Sequence, residues 1–275
     1  MIKILFFFRR CIIDTFIKNL QKKNLSNTLI KIFFIKFLLK IDQDILNYLK
    51  SSHLKNIKSF SYGGYLDLIV IFFFKRNPQI KKSNFFFEAG AYDGKKYSNT
   101  FLLEKKYKYK GILVEPLKKS FDLLKINRKD QICINAAITN KTGPKINFYT
   151  YSDKITSSSL LKILPKTTNV MFKISKVKQM SLNHIFREYN LYADLVDVVF
   201  LDIEGLELNA LINFDFLKYR PKLFVIEINN NSKLEIKYKI HNLLKKNYYE
   251  VLYPNSFINN YGNVFFVNSK FKNYF

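Results

Sequence analysis

Between Phe85 and Asn268 strand-like apolar runs alternate with amphipathic stretches, and this alternation restricts the fold more than any other feature of the chain. The runs are FFFEA (85–89), GILVE (111–115), QICINAAI (131–138), VDVVFLD (196–202), KLFVIEIN (222–229), YYEVLY (248–253) and NVFFVN (263–268). Between most of them lie helix-like segments such as SNTFLLEKKYKY, PLKKSFDLLKINR, ELNALINFDFLK and SKLEIKYKIHNLLKKN. Several strands are apolar on both faces, as strands of a parallel sheet covered on both sides must be. The expected fold is therefore α/β, a doubly wound, mostly parallel seven-stranded sheet. The short PNSFINNYGN connection joins the last two runs as a hairpin and places an antiparallel strand at one end of the sheet. Residues 140–180 break the pattern: rich in Ser, Thr, Lys and Tyr and without a clean helix, they read as a binding loop or an added hairpin.

Residues 1–58 read as a helical, lysine-rich N-terminal extension, and residues 59–275 as the α/β domain. The apolar runs near the start are interrupted by Arg9, Arg10, Asp14 and Lys18, too often for a signal peptide or a membrane span. LIKIFFIKFLLKI (29–41) is a basic apolar helix, either a core-facing helix of the N-terminal extension or one that lies on a membrane surface. The net charge of +25 points to a polyanionic partner only at first sight. Of 46 cations six are arginines, and phosphate readers favour the guanidinium fork. Lysine spread along a chain rich in Ile, Asn, Phe and Tyr reflects AT-rich coding, so no nucleic-acid partner is expected. Two cysteines, Cys11 and Cys133, form no disulfide framework or metal-ligand spacing, which fits the cytoplasm.

In a doubly wound sheet the ligand sits beyond the carboxyl ends of the strands, where strand order reverses. EAGAYDG places Gly90 and Gly94 there, behind the first strand, in a chain with only 8 glycines. Glycine lets a ligand approach the backbone. The pattern is not GxGxxG, so a pyrophosphate cradle is poorly matched. Glu115 ends the next strand 21 residues beyond Gly94, where a carboxylate holds a ribose diol. Asn135 and Ala136 end the third strand, beside an adenine edge. VVFLDIEGLE puts Asp202, Glu204 and Gly205 at the tip of the fourth strand, next to the first across the switch point, although acids there also suit a helix N-terminus. Glu88 follows three phenylalanines, and a buried acid needs a partner. The ammonium of an amino-acid ligand would serve, and Glu227 in VIEIN has the same property. A nucleoside, an ammonium and no diphosphate cradle describe S-adenosyl-L-methionine better than a dinucleotide.

FFFEAGAYDGKKYSNTFLLEKKYKYKGILVEP, INAAI and VVFLDIEGLELNAL together resemble the FkbM family of S-adenosylmethionine-dependent methyltransferases, over approximately residues 60–268. The resemblance implies a class I, Rossmann-like methyltransferase fold and O-methylation, often of sugar hydroxyls in polysaccharide, glycolipid or secondary-metabolite pathways. It implies that Glu88, Gly90, Ala91, Asp93 and Gly94 surround the methionine part of the cofactor, with Ser98, Asn99 and Thr100 lining the same end. Glu115 would hold the ribose, Asn135 and Ala136 would flank the adenine, and Asp202 and Glu204 match the family's acidic motif after the fourth strand. One departure lies upstream, where SYGGYLD carries Tyr62 in place of the family's Gln and a shifted spacing to Asp67.

A hydroxyl acceptor must lose a proton, so Asp202 is expected to orient or deprotonate it with Glu204 assisting; the same pair could hold a divalent cation, and no metal is assigned. His184 and His241 are weaker candidates. Tyr149, Tyr151 and Ser157–Ser159 could contact a sugar. The rival readings are an RNA methyltransferase, prompted by the charge, a dinucleotide oxidoreductase, and an inactive membrane-surface binding protein using the N-terminal helices.

Overall fold

The computed structural model describes residues 59–61, 65–151, 154–159, 172–228, 234–252 and 262–274. The expected N-terminal extension, Tyr62 and the Gly63-Gly64 turn lie outside these residues. The described chain opens on helix α1 (Leu66–Arg76), apolar on every side and buried along Leu66–Phe74. There follow β1 (Phe85–Ala89), α2 (Phe101–Tyr107), β2 (Lys110–Val114), α3 (Lys118–Asn127), β3 (Ile132–Ile134), β4 (Ala137–Thr139), β5 (Gly143–Tyr151), β6 (Lys154–Ser159) and β7 (Phe172–Ser181). The remainder is α4 (Leu182–Glu188), β8 (Val198–Leu201), α5 (Glu207–Leu211), α6 (Phe216–Tyr219), β9 (Leu223–Ile228), α7 (Leu234–Lys246), β10 (Tyr249–Val251), β11 (Gly262–Asn268) and a 3₁₀ turn (Ser269–Tyr274).

Seven strands form the main sheet in the order β10-β11-β9-β8-β1-β2-β3. β3, β2, β1, β8 and β9 run parallel, while β11 is antiparallel to both β9 and β10. The antiparallel strand thus sits one position in from the edge, not at the end the hairpin suggested, because β11 inserts between its own hairpin partner and β9. The chain builds outward from β1 through β2 to β3 and then lays β8 on the other side of β1. Order reverses at β1, which opens a crevice beyond its carboxyl end. The central strands are apolar on both faces, and Phe87, Val199, Phe224 and Phe266 are buried in one core. Phe186 from α4 anchors that core with rings 5.4 Å from Phe87 and 5.1 Å from Phe214.

Two predicted elements divide. QICINAAI is not one strand: Ile132–Ile134 joins the main sheet, and Ala137–Thr139 joins a second, four-stranded sheet ordered β4-β7-β5-β6. The break falls at Asn135, whose side-chain amide donates to the carbonyls of Glu115 (2.8 Å) and Pro116 (3.0 Å). ELNALINFDFLK becomes two short helices because Asp215 caps the second, accepting from the Lys218 amide at 3.0 Å. The 140–180 segment supplies most of the second sheet, with β5 antiparallel to both β6 and β7. Among the described residues no helix is long and apolar enough to cross a membrane.

At the amino edge of the main sheet one carboxylate ties three strand starts. Asp197, before β8, accepts from the amides of Ser83 (3.0 Å) and Asn84 (2.9 Å), which precede β1, and from Lys222 Nζ (2.6 Å), which precedes β9. Asp197 and Lys222 are buried, 0% and 2% exposed. Removing one member of such a pair leaves an uncompensated buried charge. Asp197→Ala should therefore lower unfolding stability by about 3–5 kcal/mol, read as a fall in denaturant midpoint at unchanged slope.

Candidate active site

The loop leaving β1 turns at two glycines. Gly90 has φ +84°, and a Cβ there would lie 1.9 Å from the Asp202 carbonyl oxygen. Gly94 has φ +75°, and a Cβ there would lie 2.5 Å from Leu124 Cδ1 and 2.7 Å from Arg128 Cγ. The clearance expected for a ligand is thus taken up by the protein's own atoms, and the solvent-facing side of Gly90 stays open. The Gly90 and Ala91 amides both donate to the Val114 carbonyl, at 3.0 and 3.1 Å, which pins the loop to the end of β2. Asp93 serves the turn, its Oδ1 accepting from the amides of Lys95 (2.9 Å) and Lys96 (2.7 Å).

Glu88 is buried and its carboxylate is fully engaged. Asn99 N donates to Oε1 at 2.8 Å, while Ser98 Oγ (3.3 Å) and Thr100 Oγ1 (2.5 Å) donate to Oε2. Behind those hydroxyls lies Arg128, also fully buried. Its Nη1 donates to Ser98 Oγ (3.1 Å) and the Gly94 carbonyl (2.9 Å), its Nη2 to Thr100 Oγ1 (3.0 Å), and its Nε to Glu104. Two hydroxyls therefore relay between a guanidinium and a carboxylate. Burial raises the Glu88 carboxyl, and Arg128 with the Ser98–Thr100 donors opposes that rise. The ammonium partner expected for Glu88 is not needed here. Arg128 went unnoticed in the sequence because it stands at a helix end among lysines; its one signal was being an arginine in a chain that otherwise uses lysine.

Glu115 lies just beyond β2, 6% exposed, with Oε2 accepting from the Tyr92 amide and Oε1 from the Leu117 amide, both at 2.9 Å. Each oxygen keeps one lone pair for a diol. Burial pushes this carboxyl up to about 7 despite the two amides. Asn135 turns its amide nitrogen to the backbone, leaving its oxygen as the outward acceptor, and Ala136 is buried in the core.

Beyond β8 the acids gather. Asp202 is pushed well above the usual carboxylate range, first by burial, then by adjoining Glu227, and last by Glu88. Glu204 rises to about 7 through burial and the charges of Asp202 and Glu207. Its backbone is left-handed, φ +56°, a conformation that costs about 1–2 kcal/mol outside glycine. Glu207 also rises to about 7 through burial, although it accepts from the amides of Ile203 (3.0 Å) and Gly205 (3.2 Å). Glu227, reached from β9, stands at about 7 through burial, lowered by its hydrogen bond with Asp202 and raised by Glu204 and Glu207. Its Oε2 is buried without a hydrogen-bond partner. Among the described residues no three His, Cys, Asp or Glu side chains converge as metal ligands. His184 lies apart, 3.3 Å from Glu188 on α4. Tyr149 packs its ring 5.7 Å from that of Phe172 on the second sheet; the side chains of Tyr151 and Ser157–Ser159 lie outside the described residues.

Two outcomes follow from these charges. Arg128→Met leaves the buried Glu88 without a cation and Glu104 with Lys105 alone (2.6 Å), and should cost about 3–5 kcal/mol, measured by denaturant unfolding. A carboxyl whose folded value lies above its unfolded value of about 4.3 keeps a proton that the unfolded chain sheds. Glu115, Glu204, Glu207 and Glu227 all stand at about 7, so stability falls as pH rises between those limits. The thermal midpoint of the ligand-free protein should decline from about pH 5 to about pH 8.

A family model described as the Methyltransferase FkbM domain matches residues 88–251, from Glu88 on β1 to the end of β10. It spans the loop of Gly90 and Gly94, Glu115, Asn135 and the whole acidic cluster. No curated protein matches the chain. With more than half its length inside that match, and with the matched motifs converging on one crevice, the chain belongs to the FkbM methyltransferase family.

Proposed function

We propose that the protein is an S-adenosylmethionine-dependent O-methyltransferase of class I fold that methylates a sugar hydroxyl of a glycan, glycolipid or related metabolite. The observation that carries this reading is the placement of coupled carboxyls, several standing near 7, beside an open glycine loop where strand order reverses. The residues present suit the cofactor. The open side of Gly90 admits the methionine part, and Ser98–Thr100 stiffen the loop from behind. Glu115 retains lone pairs for the ribose hydroxyls, and Asn135 offers a side-chain oxygen toward an adenine amino group. The orphaned Glu227 oxygen offers a seat for positive charge. When bound, the cofactor supplies an electrophilic methyl group.

The chain's own residues have two tasks. They align the acceptor oxygen with the methyl carbon, and positioning of that kind supplies much of the rate. They also receive the proton that the hydroxyl loses as its oxygen takes the methyl. A base works best with a value near the working pH. Asp202 at the strand tip orients or deprotonates the hydroxyl, with Glu204, held in its strained turn, assisting. The second sheet, with Tyr149 and Phe172 on it, contributes to the acceptor side. In this reading the enzyme works in the cytoplasm, and residues 1–58 are a candidate peripheral membrane contact.

S-adenosylhomocysteine should raise the thermal midpoint and bind in calorimetry, NAD should not, and Glu115→Ala should weaken the binding at least tenfold. A response to NAD, or none to the nucleoside, rejects the reading. With a glycan acceptor in hand, Asp202→Asn at saturating cofactor should lower turnover at least about 100-fold, and unchanged turnover would remove the base assignment.

A further inference from the structure

Asp202 and Glu227 terminate adjacent parallel strands. The β8–β9 register pairs Leu201 with Ile226, so the next residue on each strand, Asp202 and Glu227, face one another at the sheet edge. On its other side Glu227 is opposite Asn263 of β11, a neutral neighbour. The charges acting on Glu227 are those of Glu204 and Glu207, and those acting on Asp202 are Glu227 and Glu88. Like charges crowd one another here. One oxygen of Glu227 is also buried with no hydrogen-bond partner, an arrangement that costs free energy until a donor or cation arrives.

We propose that Glu227 is a ligand-binding residue that seats the cationic group of the cofactor, with Asp202 as its partner across the strand edge. The proposal rests on the cofactor reading above. Two acids stand near strand ends at this crevice, Glu88 buried and Glu227 half-buried, and the amino-acid ammonium could go to either. Glu88 is 1% exposed, and each of its oxygens already accepts from Ser98, Asn99 or Thr100. Glu227 alone of the two holds an unused buried oxygen. In the ligand-free protein Asp202 is the protonated member and donates to Glu227, which relieves the repulsion. A cation seated at the pair does the same work, so the shared proton leaves as the cation arrives. Ligand binding then releases a proton, and affinity rises with pH for as long as the ligand-free pair holds that proton.

The test is calorimetry on the full chain at pH 6.5 in buffers of different ionisation heat. The probes are S-adenosylmethionine (ammonium and sulfonium), S-adenosylhomocysteine (ammonium only) and 5′-methylthioadenosine (neither). The expected result is release of up to about one proton with the first two and none with the third. Release with S-adenosylmethionine alone supports the proposal and assigns the cation as the sulfonium. Glu227→Gln should abolish the release and weaken S-adenosylhomocysteine at least tenfold, while 5′-methylthioadenosine binds as before, which also shows that the pocket is intact. Glu227→Asp keeps the charge and should keep the release. Normal binding of the charged ligands with no proton exchange, or the same exchange in Glu227→Gln, overturns the proposal and leaves the cofactor reading standing. Failure of all three nucleosides to bind overturns both.

Discussion

The candidate site depends on one buried guanidinium. Arg128 closes α3, yet its side chain crosses beneath the β1 loop and holds Gly94, Ser98, Thr100 and Glu104 at once. Without it, the Glu88 carboxylate would be buried with no cation, and Glu104 would keep only Lys105. With it, Glu88 keeps enough compensation to accept three donors, and the path of the chain from Gly90 to Phe101 is fixed. The glycines then follow as geometric consequences. A loop drawn so close to α3 leaves no room for a Cβ at position 94, and a strand end drawn so close to β8 leaves none at position 90. What the sequence suggests as space for a ligand is first of all space for Arg128 and for the Asp202 carbonyl.

This bears on what could be read in advance. Continuous apolar runs such as FFFEA and VVFL announced parallel strands because a strand buried on both faces has no polar side to show. Their acidic tips were legible for the same reason, since Glu88, Glu115 and Asp202 interrupt apolar runs where strands end. Which strand neighbours which is a property of crossovers, and single-residue patterns do not encode it. Nor do they reveal that Asn135 would fold back on Glu115 and Pro116 and split QICINAAI between two sheets. The side-chain bonds of Glu88 were illegible too, because burial says that a partner is needed and not which partner is near. Ammonium and hydroxyl both answer that need, and the structure supplies hydroxyls.

Net charge is a similar case. A chain of +25 carries its acids unevenly: Glu88, Glu115, Asp202, Glu204, Glu207 and Glu227 stand at one edge of one sheet, where burial raises all six and mutual repulsion adds to it for Asp202, Glu204, Glu207 and Glu227. Lysine on the surface sets the field at long range and is screened within about 10 Å at ordinary ionic strength. Inside the crevice the local sign is negative. A whole-chain charge therefore says little about the charge inside the crevice.

The two edges of the main sheet solve the burial of charge in opposite ways. At the amino edge Asp197 meets Lys222 and two amides, every oxygen is satisfied, and three strands are locked in register. At the carboxyl edge Asp202 meets Glu227, like against like, next to a residue in a left-handed turn. The second arrangement is the less stable one, and it is tolerable because the first fixes the strands from which it projects. Strain and uncompensated charge persist where the surrounding structure over-determines them, and they mark the places where a ligand gains most by binding. The satisfied edge lets the unsatisfied edge stay poised, so the same sheet that carries the fold also holds the acids in place for a ligand.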